Sequence, residues 1–193
     1  MYELIRSHIA KYIQLSDEEF DHFISLSRHR KLRKKQYLVQ AGEVCRYESF
    51  INSGCLRAYT VDDKGQEHII QFAIEDWWIS DMHSFLTETP ATYNIDALED
   101  TELLQLDKAS LEKLYAAAPK FERFFRIMIQ QAFIALQQRI TVSMSDTAEK
   151  RYLHFINKYP KLEQRLTQLQ VAAYLGITPE FLSRIRKNIA TGR

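Results

Sequence analysis

Four polar side chains near the end of the chain, Glu180, Ser183, Arg184 and Lys187, follow one another at spacings of three, one and three. On an α-helix that spacing puts them on one face. Their chemistry suits base edges in the major groove of double-stranded DNA. The Arg184 guanidinium is a two-pronged donor for guanine O6 and N7, and the Glu180 carboxylate can accept from cytosine N4. Ser183 and Lys187 suit a base or a phosphate oxygen. Such a face reads nothing unless a second helix holds it at a fixed angle, and the surrounding residues predict that arrangement. With Gln168 as the first position of a helix-turn-helix, the fifth must be small because the helices touch there; it is Ala172. The ninth must turn the chain with positive φ; it is Gly176. Positions four, eight, ten, fifteen and eighteen must seal the angle, and Val171, Leu175, Ile177, Leu182 and Ile185 are all apolar. Thr178 is placed to cap the second helix and Pro179 to occupy its first turn. An ordinary helical hairpin in a bundle would need the apolar pattern but not the basic outer face.

The charge distribution agrees. Residues 147–193 hold nine Lys and Arg against three acidic residues, a net +6, while residues 1–146 hold 17 against 22, a net −5. A nearly neutral chain that is basic at one end reads as a nucleic-acid module attached to something else. Composition bounds the rest. Of 193 residues, 46% are hydrophobic, 26% charged and 12% aromatic, which describes a globular chain with a real core. Five Gly and four Pro exclude collagen-like and low-complexity architectures. Two cysteines, Cys45 and Cys55, cannot build a disulfide framework or a four-cysteine metal site. No secretory signal and no apolar run of roughly 20 residues is read, so the expected location is the cytoplasm with no membrane association.

The elements that must position the basic face come from shifts in hydrophobic period. Leu4 to about Arg30 reads as helical, with Ser16 and Glu19 forming a capping box for a second helix. From Gln36 to Leu106 short β-branched and aromatic runs alternate with turns, including Tyr37–Val39, Leu56–Val61 and His68–Phe72, with Asp62-Asp63-Lys64-Gly65 as a hairpin connection. About eight such strands predict a jelly-roll-like β-roll. Asp107 should cap a short helix, and Pro119 should open a long one free of Gly and Pro, roughly 35 Å in length. That helix is apolar on two stripes: Phe121, Phe125, Met128, Ala132 and Ala135 on one, Phe125, Ile129, Ala132, Leu136 and Ile140 on the other. Two stripes need two partners, the β-roll and, most simply, the same helix of a second copy. Asp146 is expected to cap the next helix. The expected organisation is α+β: N-terminal helices and β-roll over 1–118, a dimerisation helix over 119–145, and the helix-turn-helix domain over 146–193.

In this order of elements the chain resembles the Crp/Fnr family of bacterial transcription regulators over nearly its whole length, and the run from Ile177 to Arg186 is similar to the family's recognition helix. The resemblance implies a β-roll of the cyclic-nucleotide-binding type, an operator read by a homodimer, and a role for RNA polymerase as partner. It also implies that Thr167 contacts phosphate. Glu180 and Arg184 match the last two members of the family's R-E-x-x-x-R reading pattern; Pro179 replaces the first, so the half-site should differ. No C-terminal hairpin wing is expected after the recognition helix.

The effector region departs further from the family. Ser80-Asp81-Met82 occupies the place of the G-E-L segment that holds ribose, and Ala91-Thr92, followed by Tyr93, the place of the Arg-Ser pair that neutralises the cyclic phosphate. Ala91 supplies no cation, and a buried phosphate facing Asp81 unpaired would cost several kcal/mol. Tight binding of cAMP or cGMP is therefore not expected, and Asp81 has the alternative of being a turn or cap residue. An unknown small-molecule effector remains compatible. Cys45 and Cys55 read as core. No His-x-His pair, phosphate loop or nucleophile elbow appears, so no metal, no cofactor and no catalytic residue is expected. The basic run Arg28–Lys35 reads as a solvated helix-to-strand connection, with contact to flanking DNA as the second reading. The alternative to a regulator is a small-molecule binder or cupin-like enzyme on the β-roll with structural terminal helices.

Overall fold

The computed structural model describes residues 2–191. Helices α1 (Glu3–Ala10) and α2 (Asp17–Leu26) lead the chain. The capping box is formed: the Ser16 hydroxyl accepts from the Glu19 amide at 3.2 Å and the Glu19 carboxylate from the Ser16 amide at 2.8 Å. Ile5, Ile9 and Phe23 are fully buried on the inner faces of these helices.

Eight strands follow: β1 (Arg28–Leu32), β2 (Tyr37–Val39), β3 (Tyr47–Ser53), β4 (Leu56–Val61), β5 (Glu67–Ala73), β6 (Trp78–Ile79), β7 (Asn94–Ala97) and β8 (Thr101–Asp107). They make two four-stranded sheets, in the orders β1-β8-β3-β6 and β2-β7-β4-β5, with the short helix α3 (Met82–Thr87) between β6 and β7. Gly65 turns the β4–β5 hairpin at φ 79°. Helix α4 (Lys108–Ala117) starts at Asp107, whose carboxylate accepts from the Ser110 amide at 2.7 Å. After Pro119 comes α5 (Lys120–Ser145), then α6 (Ala148–Lys158), α7 (Pro160–Glu163), α8 (Gln168–Leu175) and α9 (Pro179–Thr191).

Two local expectations are corrected. The basic run does not remain a connection: α2 ends at Leu26, and Arg28–Leu32 is an edge strand paired with β8 from Arg28↔Gln105 to Leu32↔Thr101. Its charges are accommodated rather than solvated at random. Arg28 lies over the Tyr47 ring and donates to its hydroxyl at 2.9 Å, Arg30 donates to the Tyr37 carbonyl, and Lys31 pairs with Glu102 at 2.6 Å. A charged edge strand also resists pairing with other chains. The cap of α6 is Thr147, not Asp146: the Asp146 amide still donates to Val142 at the end of α5, and the Thr147 hydroxyl accepts from Lys150 at 3.3 Å.

The chain divides into two compact units. One takes the chain through Thr60 and Gln71–Gln131; the other takes Val61–Ile70 and the chain from Ala132 onward. The division cuts across the three segments read from the sequence, because the hairpin joins the helix-turn-helix side and α5 is shared. The core of the first unit is aromatic at the base of α5. Phe124 is fully buried, and the Trp78 and Phe125 rings meet edge to face at 5.3 Å.

Candidate nucleic-acid interface

The second unit places the candidate reading residues on one exposed helix face, as their spacing predicts. Thr167 caps α8 with a full capping box: its hydroxyl accepts from the Gln170 amide at 3.3 Å, and its own amide donates to the Gln170 side chain at 2.8 Å. Gly176 ends the helix at φ 66°, ψ 38°, the left-handed conformation only glycine adopts without cost. The Thr178 hydroxyl accepts from the Phe181 amide at 3.2 Å, and Pro179 opens α9. Val171, Ala172 and Leu182 are fully buried and Leu175 and Ile185 nearly so, which fixes the angle between α8 and α9; Ile177 is half-buried. Glu180, Ser183, Arg184 and Lys187 are all exposed. Among the described residues no carboxylate pairs with Arg184 or Lys187; the Arg184 guanidinium rests 5.1 Å from the Phe181 ring centre.

Two contacts escape a reading of the sequence. The Gln168 side chain donates to the Pro179 carbonyl at 2.7 Å, tying the start of α8 to the start of α9. Arg186 donates to the Tyr152 hydroxyl and to Glu163, both at 3.0 Å, and Tyr152 donates to Glu163 at 2.6 Å. Arg186 therefore fastens the back of α9 to α6 and α7, and its charge is not available to DNA. No local spacing signals these pairs, because the Arg186 partners lie 23 and 34 residues away.

In the β-roll, the six effector-region residues are brought together but bound to their own chain. The Asp81 carboxylate is buried and accepts from the Ser84 amide at 3.0 Å and the Thr92 amide at 3.3 Å, so it caps α3. Tyr93 donates its hydroxyl to the Ser80 carbonyl at 3.1 Å, and the Ser80 hydroxyl donates to Glu48 at 2.7 Å. Ala91 is buried and its amide donates to Glu43 at 2.8 Å; Met82 begins α3. Glu48, which no sequence signal singles out, is buried with Cys45, Tyr93 and Tyr115 around it, and burial pushes its carboxyl up to about 7. The Arg57 guanidinium is spent on Asp96, at 2.8 and 3.1 Å. Cys45 and Cys55 are buried, and their thiols donate to the Tyr47 and Leu56 carbonyls at 3.5 and 3.9 Å.

The apolar stripe on α5 divides. Phe125 packs within its own chain against Trp78, Tyr115 and Phe124, so it does not stand in the outer seam. Ala132 is exposed, and Ile129, Leu136 and Ile140 are 48–50% exposed, as are their neighbours Phe133 and Ile134 to a similar degree.

Comparison with known proteins shows what the chain is similar to. The model of the cyclic nucleotide-binding domain matches residues 29–118. An anaerobic regulatory protein of Haemophilus influenzae is 25% identical over 185 residues, covering 89% of this chain and 70% of the relative. The structure of FixK2 from Bradyrhizobium japonicum superposes with a TM-score of 0.75 at 18% identity, covering 86% of this chain and 85% of that one. A crp/fnr-family regulator from Eubacterium rectale gives a TM-score of 0.71 at 17% identity, over 92% and 85%. The chain is similar to transcriptional regulators of the Crp/Fnr type along most of its length. As in the Crp/Fnr regulators it resembles, a β-roll of the cyclic-nucleotide-binding kind precedes the helical end. The relatives are regulators and not enzymes, so a cupin-like activity on the roll is not favoured. No helix of the described residues is long and apolar enough to cross a membrane.

Proposed function

We propose that this chain is a Crp/Fnr-type regulator that binds a palindromic operator in double-stranded DNA as a homodimer in the cytoplasm, without responding to cAMP. The single observation that carries the reading is the cationic face of α9, with Arg184 and Lys187 exposed and paired to no carboxylate among the described residues, opposite the buried Leu182 and Ile185. In this reading Arg184 and Glu180 contact base edges, Ser183 and Lys187 contact bases or phosphates, and the hydroxyls of Thr167 and Thr178 donate to phosphate while their oxygens cap the helices. Pro179 stands where a third reading side chain would stand. The exposed Ile129, Leu136 and Ile140 face their copies in the partner, and two reading helices then enter successive major grooves about 10 bp apart. The roll supports cAMP independence because Asp81 and Glu48 are buried carboxyl groups with no Lys or Arg paired to them among the described residues. Selection from fragmented genomic DNA, followed by sequencing, tests the reading. Recovery of fragments sharing an inverted repeat is expected; recovery that tracks length alone would contradict it. Promoter transcription with and without the protein then reads its effect on RNA polymerase.

A further inference from the structure

Arg139 lies in the second half of α5, on the compact unit that also holds the β4–β5 hairpin and the helix-turn-helix. Its Nη2 donates to the Ile69 carbonyl at 2.7 Å and to the Tyr174 carbonyl at 3.3 Å. The guanidinium carbon also sits 4.0 Å from the centre of the Tyr174 ring. Both carbonyls need an outside donor. Ile69 is on β5, the edge strand of its sheet, where a carbonyl on the outer side has no neighbouring strand. Tyr174 is the penultimate residue of α8, and the last carbonyls of a helix lack partners within it and favour a cation. Each end of the bridge is stiff. The Tyr174 ring packs 5.2 Å from that of Phe155 on α6. In the hairpin, the Asp62 carboxylate accepts from the Lys64 and Gln66 amides at 2.9 Å and faces His68 at 2.9 Å.

We propose that Arg139 is a positioning residue that clamps the β4–β5 hairpin to the first helix of the helix-turn-helix, so that the hairpin helps to set the angle at which α9 meets DNA. The consequence for DNA rests on the function proposed above; the clamp itself does not. Anything that displaces the hairpin then acts on the reading head directly, in addition to whatever travels along α5. The chemistry calls for arginine. One planar group supplies in-plane donors to two carbonyls and a flat face to a ring, whereas an ammonium supplies a point charge and no face.

The test is hydrogen exchange on the full chain for wild type, Arg139→Met and Arg139→Lys, with DNA affinity measured across salt concentrations. In Arg139→Met, the hairpin and α8 should both exchange about tenfold faster while α2, β3 and β8 are unchanged. Operator affinity should fall about tenfold at an unchanged salt slope, because every phosphate partner is still in place. Arg139→Lys should recover only a minor part of the protection, and it carries the same comparison if Arg139→Met fails to fold. Loosening of only one segment, or of neither, overturns the clamp, as does a salt slope lowered by about one, which would make Arg139 a phosphate partner. A wild type that binds no DNA overturns the functional reading instead, and the exchange result still decides the clamp.

Discussion

On α9, Arg184 and Lys187 stand in solvent with no carboxylate of the described residues paired to them, whereas inside the β-roll Arg57 is fastened to Asp96, Ser80 to Glu48, and Asp81 to two backbone amides. The contrast separates a surface whose cations are left for the proposed DNA partner from interior groups that are already paired within the chain. An exposed, unpaired cation costs little in water and gains when it displaces counterions from phosphate. A buried polar group without a partner costs about 1–3 kcal/mol or more, and Arg57, Ser80 and Asp81 each have their partner within the roll. The same difference separates the two ends of α5: Phe124 and Phe125 are covered by their own chain, while Ile129, Leu136 and Ile140 are half exposed.

The largest expected effect comes from breaking the outer half of that helix. Ile129→Glu would place two carboxylates in the proposed seam and should give monomers in sedimentation equilibrium, with operator affinity reduced by about two orders of magnitude or more. A wild type that sediments as a monomer at micromolar concentration would refute the seam.

The interior can be probed through its buried acid. The Glu48 carboxyl is held at about 7, against an ordinary 4.5, because burial disfavours its charge. Between these values the folded chain keeps a proton that the unfolded chain has released, so this group's stabilisation is present at low pH and is lost as pH rises towards 7. Glu48→Gln removes the titration and retains the partner for Ser80. The stability of the variant relative to wild type, from urea melts, should rise by about 3 kcal/mol between about pH 4.5 and 8. A difference that does not change with pH would show that Glu48 is not titrating in this window.

The smallest expected effect is none at all. Millimolar cAMP should leave both the melting temperature and the operator affinity of the wild type unchanged, because a cyclic phosphate would meet buried carboxyl groups without an arginine. A micromolar dissociation constant by calorimetry would contradict the proposed cAMP independence.

The reading head was legible in the sequence because its determinants are local: Ala172, Gly176 and five apolar positions lie within 18 residues and act on one another directly. Strands such as β2, β4 and β5 were legible from their β-branched and aromatic runs, whereas β1 and the two-residue β6 were not. Arg28, Arg30 and Lys31 look like a solvated link until Tyr47, Tyr37 and Glu102 are found beside them. Phe125 shows a different limit. Periodicity says that a stripe must be covered, and only packing says whether the cover is the chain's own Trp78 or a second copy. Glu48 and Arg139 were illegible because burial and long-range partners define them; Arg139 reaches a carbonyl 70 residues away.

That the free face of α9 reads base sequence is tested most directly by binding-site selection on wild type and Arg184→Ala, with affinities for the selected sites taken at several salt concentrations. Arg184→Ala should lose about 1–3 kcal/mol per half-site and its preference at one base position. Lys187→Ala, run in parallel, should weaken all sequences alike and lower the salt slope by about one for each phosphate no longer neutralised. If Arg184→Ala selects the same bases as the wild type, the reading face has been assigned to the wrong residues.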